Sequence, residues 1–168
     1  MKIDYENETR DAYQSHDRAM AYRRHLTEEI SWARFTMWRE KYCIAKALKL
    51  CKLSSWGKIL DVPCGTGIMA STIKNNCIGR YIASDISLEM IKFAQLEYSS
   101  SRFDGFVRAD ITNMPFHNKS FSGTIVVGFM HRVPPEIRQK ALEELSRVSE
   151  RFIIISYSVN SIIQKMKK

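Results

Sequence analysis

The residues of this chain that could do chemistry concentrate in one run, Ile59-Leu60-Asp61-Val62-Pro63-Cys64-Gly65-Thr66-Gly67. An apolar stretch ends in an acid and passes directly into a turn with two glycines. Lacking a Cβ, Gly65 and Gly67 permit a sharp bend and let a ligand come within van der Waals distance of the backbone. About twenty residues further on, Asp85 closes a second apolar run, where a carboxylate can accept hydrogen bonds from two vicinal ribose hydroxyls. Together they imply a ligand that contains a nucleoside.

Gly65-x-Gly67-x-x-Ala70 also fits the fingerprint of dinucleotide sites, so nicotinamide and flavin cofactors compete with other nucleosides. Asp61 separates the two. A pyrophosphate needs neutral or positive surroundings, and an acid four residues ahead of the first glycine would repel it. The same acid suits an ammonium group, such as that of the methionyl part of S-adenosylmethionine. The residues therefore favour a sulfonium cofactor.

The elements that must position these residues follow from periodicity. Short apolar runs at Lys58 to Val62, Arg80 to Ser84, Phe106 to Ala109, Thr124 to Gly128 and Phe152 to Tyr157 read as strands. Helical stretches separate them at Gly67 to Lys74, Leu88 to Tyr98 and Pro135 to Ser149. Ser87 is placed to cap the second helix, and Pro134-Pro135-Glu136 opens the third with a fixed φ and an acid in the first turn. Thr112 to Gly123 is a long polar connection with Pro115, Asn118 and Gly123 as turn formers. Alternation of this kind predicts an α/β fold: a doubly wound, Rossmann-like parallel sheet of about five strands, with its ligand crevice beyond the C-terminal strand ends. Upstream, residues 1–56 read as an N-terminal helical cap or lid on a domain spanning 57–168. Trp32, Phe35, Ile44, Ala47, Leu48 and Cys51 recur at steps of three and four, with Ser31 as a candidate N-cap, while Ala12 to Ile30 has the weaker pattern of a mobile helical arm.

Length and composition fit one soluble domain: 168 residues, 45% hydrophobic, 26% charged and only 7 Gly and 4 Pro. No apolar run reaches the roughly 18–20 residues of a membrane span, and Met1 to Arg10 lacks the pattern of a signal peptide, so the expected location is cytoplasmic. Cys43, Cys51, Cys64 and Cys77 form no C-x-x-C pair and have no histidine at ligand spacing, so no metal site is expected. The net charge of +8 is spread along the chain, with Lys165, Lys167 and Lys168 the only tight basic group, and reads as a solvated surface.

ILDVPCGTG, then Ser84-Asp85-Ile86-Ser87, then Ala109-Asp110-Ile111-Thr112-Asn113-Met114-Pro115-Phe116, resembles the first three motifs of the class I S-adenosylmethionine-dependent methyltransferases. More narrowly, the chain is similar to the methyltransferase type 11 group related to the ubiquinone and menaquinone biosynthesis enzymes. Between Lys58 and Tyr157 the resemblance implies that Asp61, Gly65 and Gly67 line the methionyl portion of the cofactor, with Pro63, Cys64 and Thr66 in the same loop. It further implies that Asp85 holds the ribose and Ile86 packs on the adenine. Asp110 would accept from the exocyclic amine and the Ile111 amide would meet a ring nitrogen, while Gly128, Phe129 and Met130 flank the sulfonium. Two departures stand out. Phe121 is followed by Ser122-Gly123 where the family often has Asp. The two further strands usual after the fifth are missing, so the expectation is a truncated domain, or an edge completed by a partner chain, a second copy or the N-terminal helices.

Methyl transfer from a sulfonium is an in-line displacement, so alignment and exclusion of water matter more than a dedicated catalytic group. For a hydroxyl or phenol acceptor a general base helps, and His131 is the histidine placed to serve; His117, His16 and His25 read as surface residues. Tyr5, Tyr13, Tyr22, Trp32 and Trp38 are candidates for an aromatic lid, and Arg39 for a contact with the cofactor carboxylate or a surface ion pair. Cys64 has no base beside it and reads as a small turn residue. The reading is a methyltransferase for a small-molecule or lipid-like acceptor. A non-catalytic S-adenosylmethionine-binding regulatory partner and an RNA-directed methyltransferase are the alternatives. Gly128-Phe129-Met130-His131-Arg132-Val133-Pro134 stands where an amino-group methylase of bases often carries Asn/Asp-Pro-Pro-Tyr/Phe, which counts against base amino groups as targets.

Overall fold

The computed structural model describes residues 14–27, 32–55 and 57–157. Two helices, α1 (His16–Thr27) and α2 (Trp32–Leu50), precede an alternating series. It runs β1 (Lys58–Asp61), α3 (Ala70–Asn76), β2 (Arg80–Asp85), α4 (Leu88–Ala94), β3 (Phe103–Arg108), β4 (Phe121–Val126), α5 (Pro135–Val148) and β5 (Ser149–Ile155). The strands form one sheet in the order β3-β2-β1-β4-β5, and every neighbouring pair is parallel. Among the described residues no strand lies beyond β5. The chain winds outward from β1 to β3 and then returns to the other side of β1 with β4. The sheet therefore has its switch point between β1 and β4, where a crevice opens past the C-terminal ends.

Both faces of the sheet are covered, and strand residues alternate between two cores. Ile59 and Ile125 join Ile44, Leu48, Ile73 and Tyr81 on the face carrying α2, α3 and α4. Leu60, Val62 and Val126 join Ala141, Leu145 and Val148 of α5 on the other. Because α2 supplies Ile44 and Leu48 to the same core as β1, that helix and the sheet share one apolar interior.

Several element ends differ from the sequence reading, each for a local reason. Helix α3 starts at Ala70, not Gly67, because Gly67 has φ +81° and belongs to a turn closed by its N–H to Cys64 O at 3.0 Å. Helix α4 stops at Ala94 and continues to Tyr98 in tighter turns, such as the Glu97 N–H to Ala94 O bond. Strand β3 begins at Phe103, three residues early, where the Phe103 ring packs 4.8 Å from that of Tyr98 and 5.5 Å from that of Tyr81. Strand β4 starts at Phe121, whose buried ring meets Phe116 edge-on at 4.9 Å. Its partner β5 begins correspondingly at Ser149.

In the departure Phe121-Ser122-Gly123 packing accounts for the glycine, since a Cβ on Gly123 would lie 2.2 Å from the Phe152 ring, while Ser122 in place of Asp has no structural explanation. Helix α1 is docked and not a free arm. Ala19 is fully buried, His16 stacks on Phe93 at 5.1 Å, and Arg23 pairs with Glu97. Phe35, expected on the inner face of α2, is exposed on its outer one. Ser31 lies outside the described residues, as do the lysines of the tail.

Candidate functional site

The principal cleft opens at the switch point. Strand β1 brings Asp61 to its floor, and Val62, Pro63, Cys64, Gly65 and Thr66 turn along one side. Strand β2 contributes Asp85 at its end and the turn after it Ile86 and Ser87, the loop after β3 contributes Ala109, Asp110 and Ile111, and the loop after β4 contributes Val127, Gly128 and Phe129. The cleft, counted with the solvent space at its mouth, encloses about 960 Å³.

Asp85 organises the turn. Its Oδ2 accepts from the Gly65 N–H at 2.8 Å and its Oδ1 from the Ser87 N–H at 2.9 Å, so one carboxylate ties the glycine loop to the start of α4. Burial pushes its carboxyl up to about 6 against the pull of these amide donors. Ser87 caps α4 as the sequence predicts, its hydroxyl accepting from Met90 N–H at 3.2 Å.

Asp61 is deeper still. Tyr98 donates its hydroxyl to Asp61 Oδ2, and burial, with a contribution from the charge of Asp85, pushes the Asp61 carboxyl up to about 7. A buried carboxylate held by one phenol and poised near neutrality favours a cation placed beside it. Cys64 sits between these acids. Burial, then the charges of Asp85 and Asp61, raise its thiol well above the usual range, which leaves it protonated and unreactive.

The glycines divide their labour. Gly65 has φ +53° and a Cβ there would meet nothing within 4 Å, so the space in front of it is open cleft. Gly128, with φ +68°, is equally open on the opposite wall. Gly67, in contrast, is off the wall: a Cβ there would lie 3.0 Å from the Ala94 Cα, so its smallness serves helix packing. Thr66 is buried in the turn with its hydroxyl lacking a hydrogen-bond partner. Asp110 Oδ1 accepts from the Thr112 N–H at 2.9 Å and its hydroxyl at 2.8 Å, a local turn that fixes the carboxylate at the rim.

Besides Gly67, two further sequence-predicted site residues, Met130 and His131, fall away from the cleft. Met130 is buried in the core beneath α5, where its carbonyl accepts from Arg138 at 3.0 Å. His131 is not among the lining residues; its ring meets Tyr157 edge-on at 6.4 Å, and its Nδ1 is buried without a partner. Burial, and then the Arg132 charge, lower its pKa. The neighbouring Arg132 lines the cleft instead, with its guanidinium 5.3 Å from the Tyr22 ring centroid.

Of the candidate lid aromatics, Tyr22 lines the cleft and Trp38 faces solvent; Tyr5, Tyr13 and the side chain of Trp32 lie outside the described residues. Arg39 is exposed and off the wall. Sequence reasoning missed Tyr98, Arg132, Met37, Ile68, Met69 and Met90. The tyrosine could have been found only from the sheet order, since Tyr98 is 37 residues from Asp61.

The comparisons with known proteins bear on the family and the fold. Residues 59–151 match the family model described as a methyltransferase domain, which covers more than half of the chain. The chain belongs to the class I S-adenosylmethionine-dependent methyltransferase family. A demethylmenaquinone methyltransferase of Paenarthrobacter aurescens (strain TC1) is 29% identical over 137 residues, 79% of this chain and 49% of the relative. One from Clavibacter sepedonicus is 31% identical over 105 residues, 60% of this chain and 41% of the relative. The methyltransferase chain thus spans about half the length, or less, of the curated relatives it matches.

Among solved structures, magnesium protoporphyrin IX methyltransferase from Synechocystis PCC 6803, with bound SAM, superposes with a TM-score of 0.75. It is 16% identical, and the match covers 98% of this chain and 84% of that one. A protein from Pyrococcus horikoshii OT3 gives 0.65 at 20% identity, covering 88% of this chain and 65% of that one. At such identities the likeness is one of fold.

Proposed function

We propose that this chain binds S-adenosylmethionine in the cleft and transfers its methyl group to a small-molecule or lipid-like acceptor. The observation that carries the reading is the pair of buried acids at the ends of adjacent strands, Asp61 and Asp85, beside a glycine turn open to a ligand. The residues fit the cofactor: Gly65 and Gly128 leave space that a Cβ would fill, and the Thr66 hydroxyl is buried without a partner at the same wall. The names of the curated relatives and of the Synechocystis neighbour, all methyltransferases of small molecules, support the acceptor class.

In this proposal Asp61 meets the ammonium of the methionyl tail, with Pro63, Cys64, Gly65 and Thr66 forming the loop around it. Asp85 accepts from the ribose hydroxyls, Ile86 packs on the base, Asp110 accepts from its amine and the Ile111 amide meets a ring nitrogen. Gly128 and Phe129 wall the reacting end. The cofactor supplies an activated methyl group on a sulfonium. The protein's task is then to orient the acceptor and keep water out, for which Met37, Met69, Met90 and Phe129 provide an apolar lining. No imidazole is needed at the wall. Arg132, a cation at the cleft, would favour an acceptor whose acidic hydroxyl reacts as its anion.

The test is incubation with cofactor labelled in the methyl group and a metabolite extract, followed by partition between organic solvent and water. Label moving into the organic phase, and lost in Asp61→Asn, supports the reading. Cofactor binding without transfer to any fraction would replace it with the binding-only alternative, and label on RNA would replace the acceptor class.

A further inference from the structure

Helix α2 has two faces of opposite character. Inward, Met37 lines the cleft while Ile44 and Leu48 enter the core. Outward, three large rings stand in a row: Phe35, Trp38 and Tyr42, spaced by three and four residues and so on one side of the helix. Phe35 and Trp38 stack at 6.1 Å with their planes 26° apart, and Trp38 and Tyr42 at 6.2 Å and 15°. Lys46 closes the row, its Nζ 4.7 Å from the Tyr42 ring centroid. These side chains are not core: Trp38 is 62% exposed and Leu50, at the end of the helix, 81%. Around the row Arg34, Arg39, Lys46 and Lys49 are all exposed. The only acid between residues 34 and 50 is Glu40, which lies off this face.

We propose that the outer face of α2, with Phe35, Trp38, Tyr42 and Leu50 ringed by Arg39, Lys46 and Lys49, is a docking surface for an anionic lipid bilayer. Tryptophan and tyrosine suit the headgroup boundary, where one end of the ring is apolar and the other wet. Lysine and arginine stems cover apolar surface while their charges reach anionic headgroups. Each cation near such a surface strengthens partitioning about fivefold, the equivalent of roughly 1 kcal/mol. Among the described residues of α2 no acid lies on this face, so the helix itself adds no opposing repulsion.

A single-stranded nucleic acid would also welcome aromatics and cations, but it needs ring faces on which bases can stack. Here Phe35 and Tyr42 flank Trp38 at 6.1 and 6.2 Å and Lys46 lies over Tyr42, so neighbouring side chains compete with bases for the ring faces. The exposed aliphatic Leu50 adds nothing to base stacking but can enter an acyl layer. The surface does not depend on methyl transfer. It does place the cleft-lining Met37 on the back of the docking helix, a favourable arrangement if the acceptor is lipid-like.

The experiment is co-sedimentation of the full chain with vesicles of phosphatidylcholine alone and of phosphatidylcholine with 30% phosphatidylglycerol, a composition chosen to match physiological surface charge only approximately. Expected is binding to the anionic vesicles, weakened at least tenfold in Trp38→Ser/Tyr42→Ser and in Lys46→Glu/Lys49→Glu, and weakened by raising the salt. These side chains lie outside the core, so unchanged thermal melting and unchanged S-adenosylhomocysteine binding are the controls that keep the lipid result separate from the cofactor reading. Equal binding by wild type and variants, or no binding to either vesicle, would overturn the proposal. So would a dimer in light scattering or an RNA oligonucleotide complex that the same substitutions abolish while vesicle binding is absent.

Discussion

Asp61 and Asp85 are acids that the fold keeps in a poorly solvated place, and this has a measurable sign. Burial, opposed by the Tyr98 hydrogen bond and reinforced by Asp85, sets the Asp61 carboxyl at about 7, and burial sets that of Asp85 at about 6. Both values lie above the roughly 3.9 of an unfolded aspartate. The folded protein therefore binds more protons than the unfolded chain between about pH 4 and 7, and the ligand-free protein loses stability as pH rises through that window. A ligand with an ammonium group selects the ionised acid. S-adenosylhomocysteine affinity is thus expected to rise from pH 5.5 to 7.5, with protons released on binding at the lower end. Calorimetry in two buffers of different ionisation enthalpy measures that release, and a flat profile would remove Asp61 from the ammonium. Tyr98→Phe deletes the bond that holds Asp61 down, so the profile should move to higher pH, with affinity at pH 7 about threefold to tenfold weaker, as for one hydrogen bond of ~0.5–1.5 kcal/mol. The two acids were legible in the sequence because each ends an apolar run. Tyr98 was not, because what gives it meaning is a contact across 37 positions.

At the scale of elements, the glycine turn separates two jobs that sequence spacing merges. Gly67→Ala would force a side chain into the left-handed region and against the Ala94 backbone at 3.0 Å, so a loss of about 2–4 kcal/mol in urea unfolding is expected. Gly65→Ala meets nothing in the protein but fills cleft, so it should cost only about 1–2 kcal/mol of stability yet weaken cofactor binding more than tenfold. The reverse pattern would mean that the ligand lies on the other side of the turn. The succession of strands and helices was readable from periodicity, and so was the crevice beyond the strand ends. Strand starts were misplaced where an aromatic contact from another element, such as Phe103 on Tyr98 or Phe121 on Phe116, extends pairing beyond the apolar run. The connection from Thr112 to Gly123 read as a long polar link with turn formers. It is instead stapled to α5, where Arg147 donates to the Phe116 carbonyl at 2.6 Å and the Met114 carbonyl at 2.9 Å. Nothing in the local sequence announces that anchor.

For the whole molecule, the winding order explains why so few motifs suffice. Starting at β1 and reversing at β4 brings the ends of β1, β2 and β4 and the loop after β3 to one crevice, so residues scattered from 61 to 132 converge. Helices α1 and α2 close the same crevice from the other side with Tyr22 and Met37, the contribution hardest to read from composition. No helix among the described residues is long and apolar enough to cross a membrane. The family assignment fixes the fold, and in the proposed function the charge at the floor of the crevice selects the ligand. Calorimetric titration of the wild-type chain with S-adenosylhomocysteine and, in parallel, NAD tests that selection most directly. The account predicts micromolar binding of the thioether nucleoside and no heat from NAD. Tight NAD binding that excludes the thioether would contradict it.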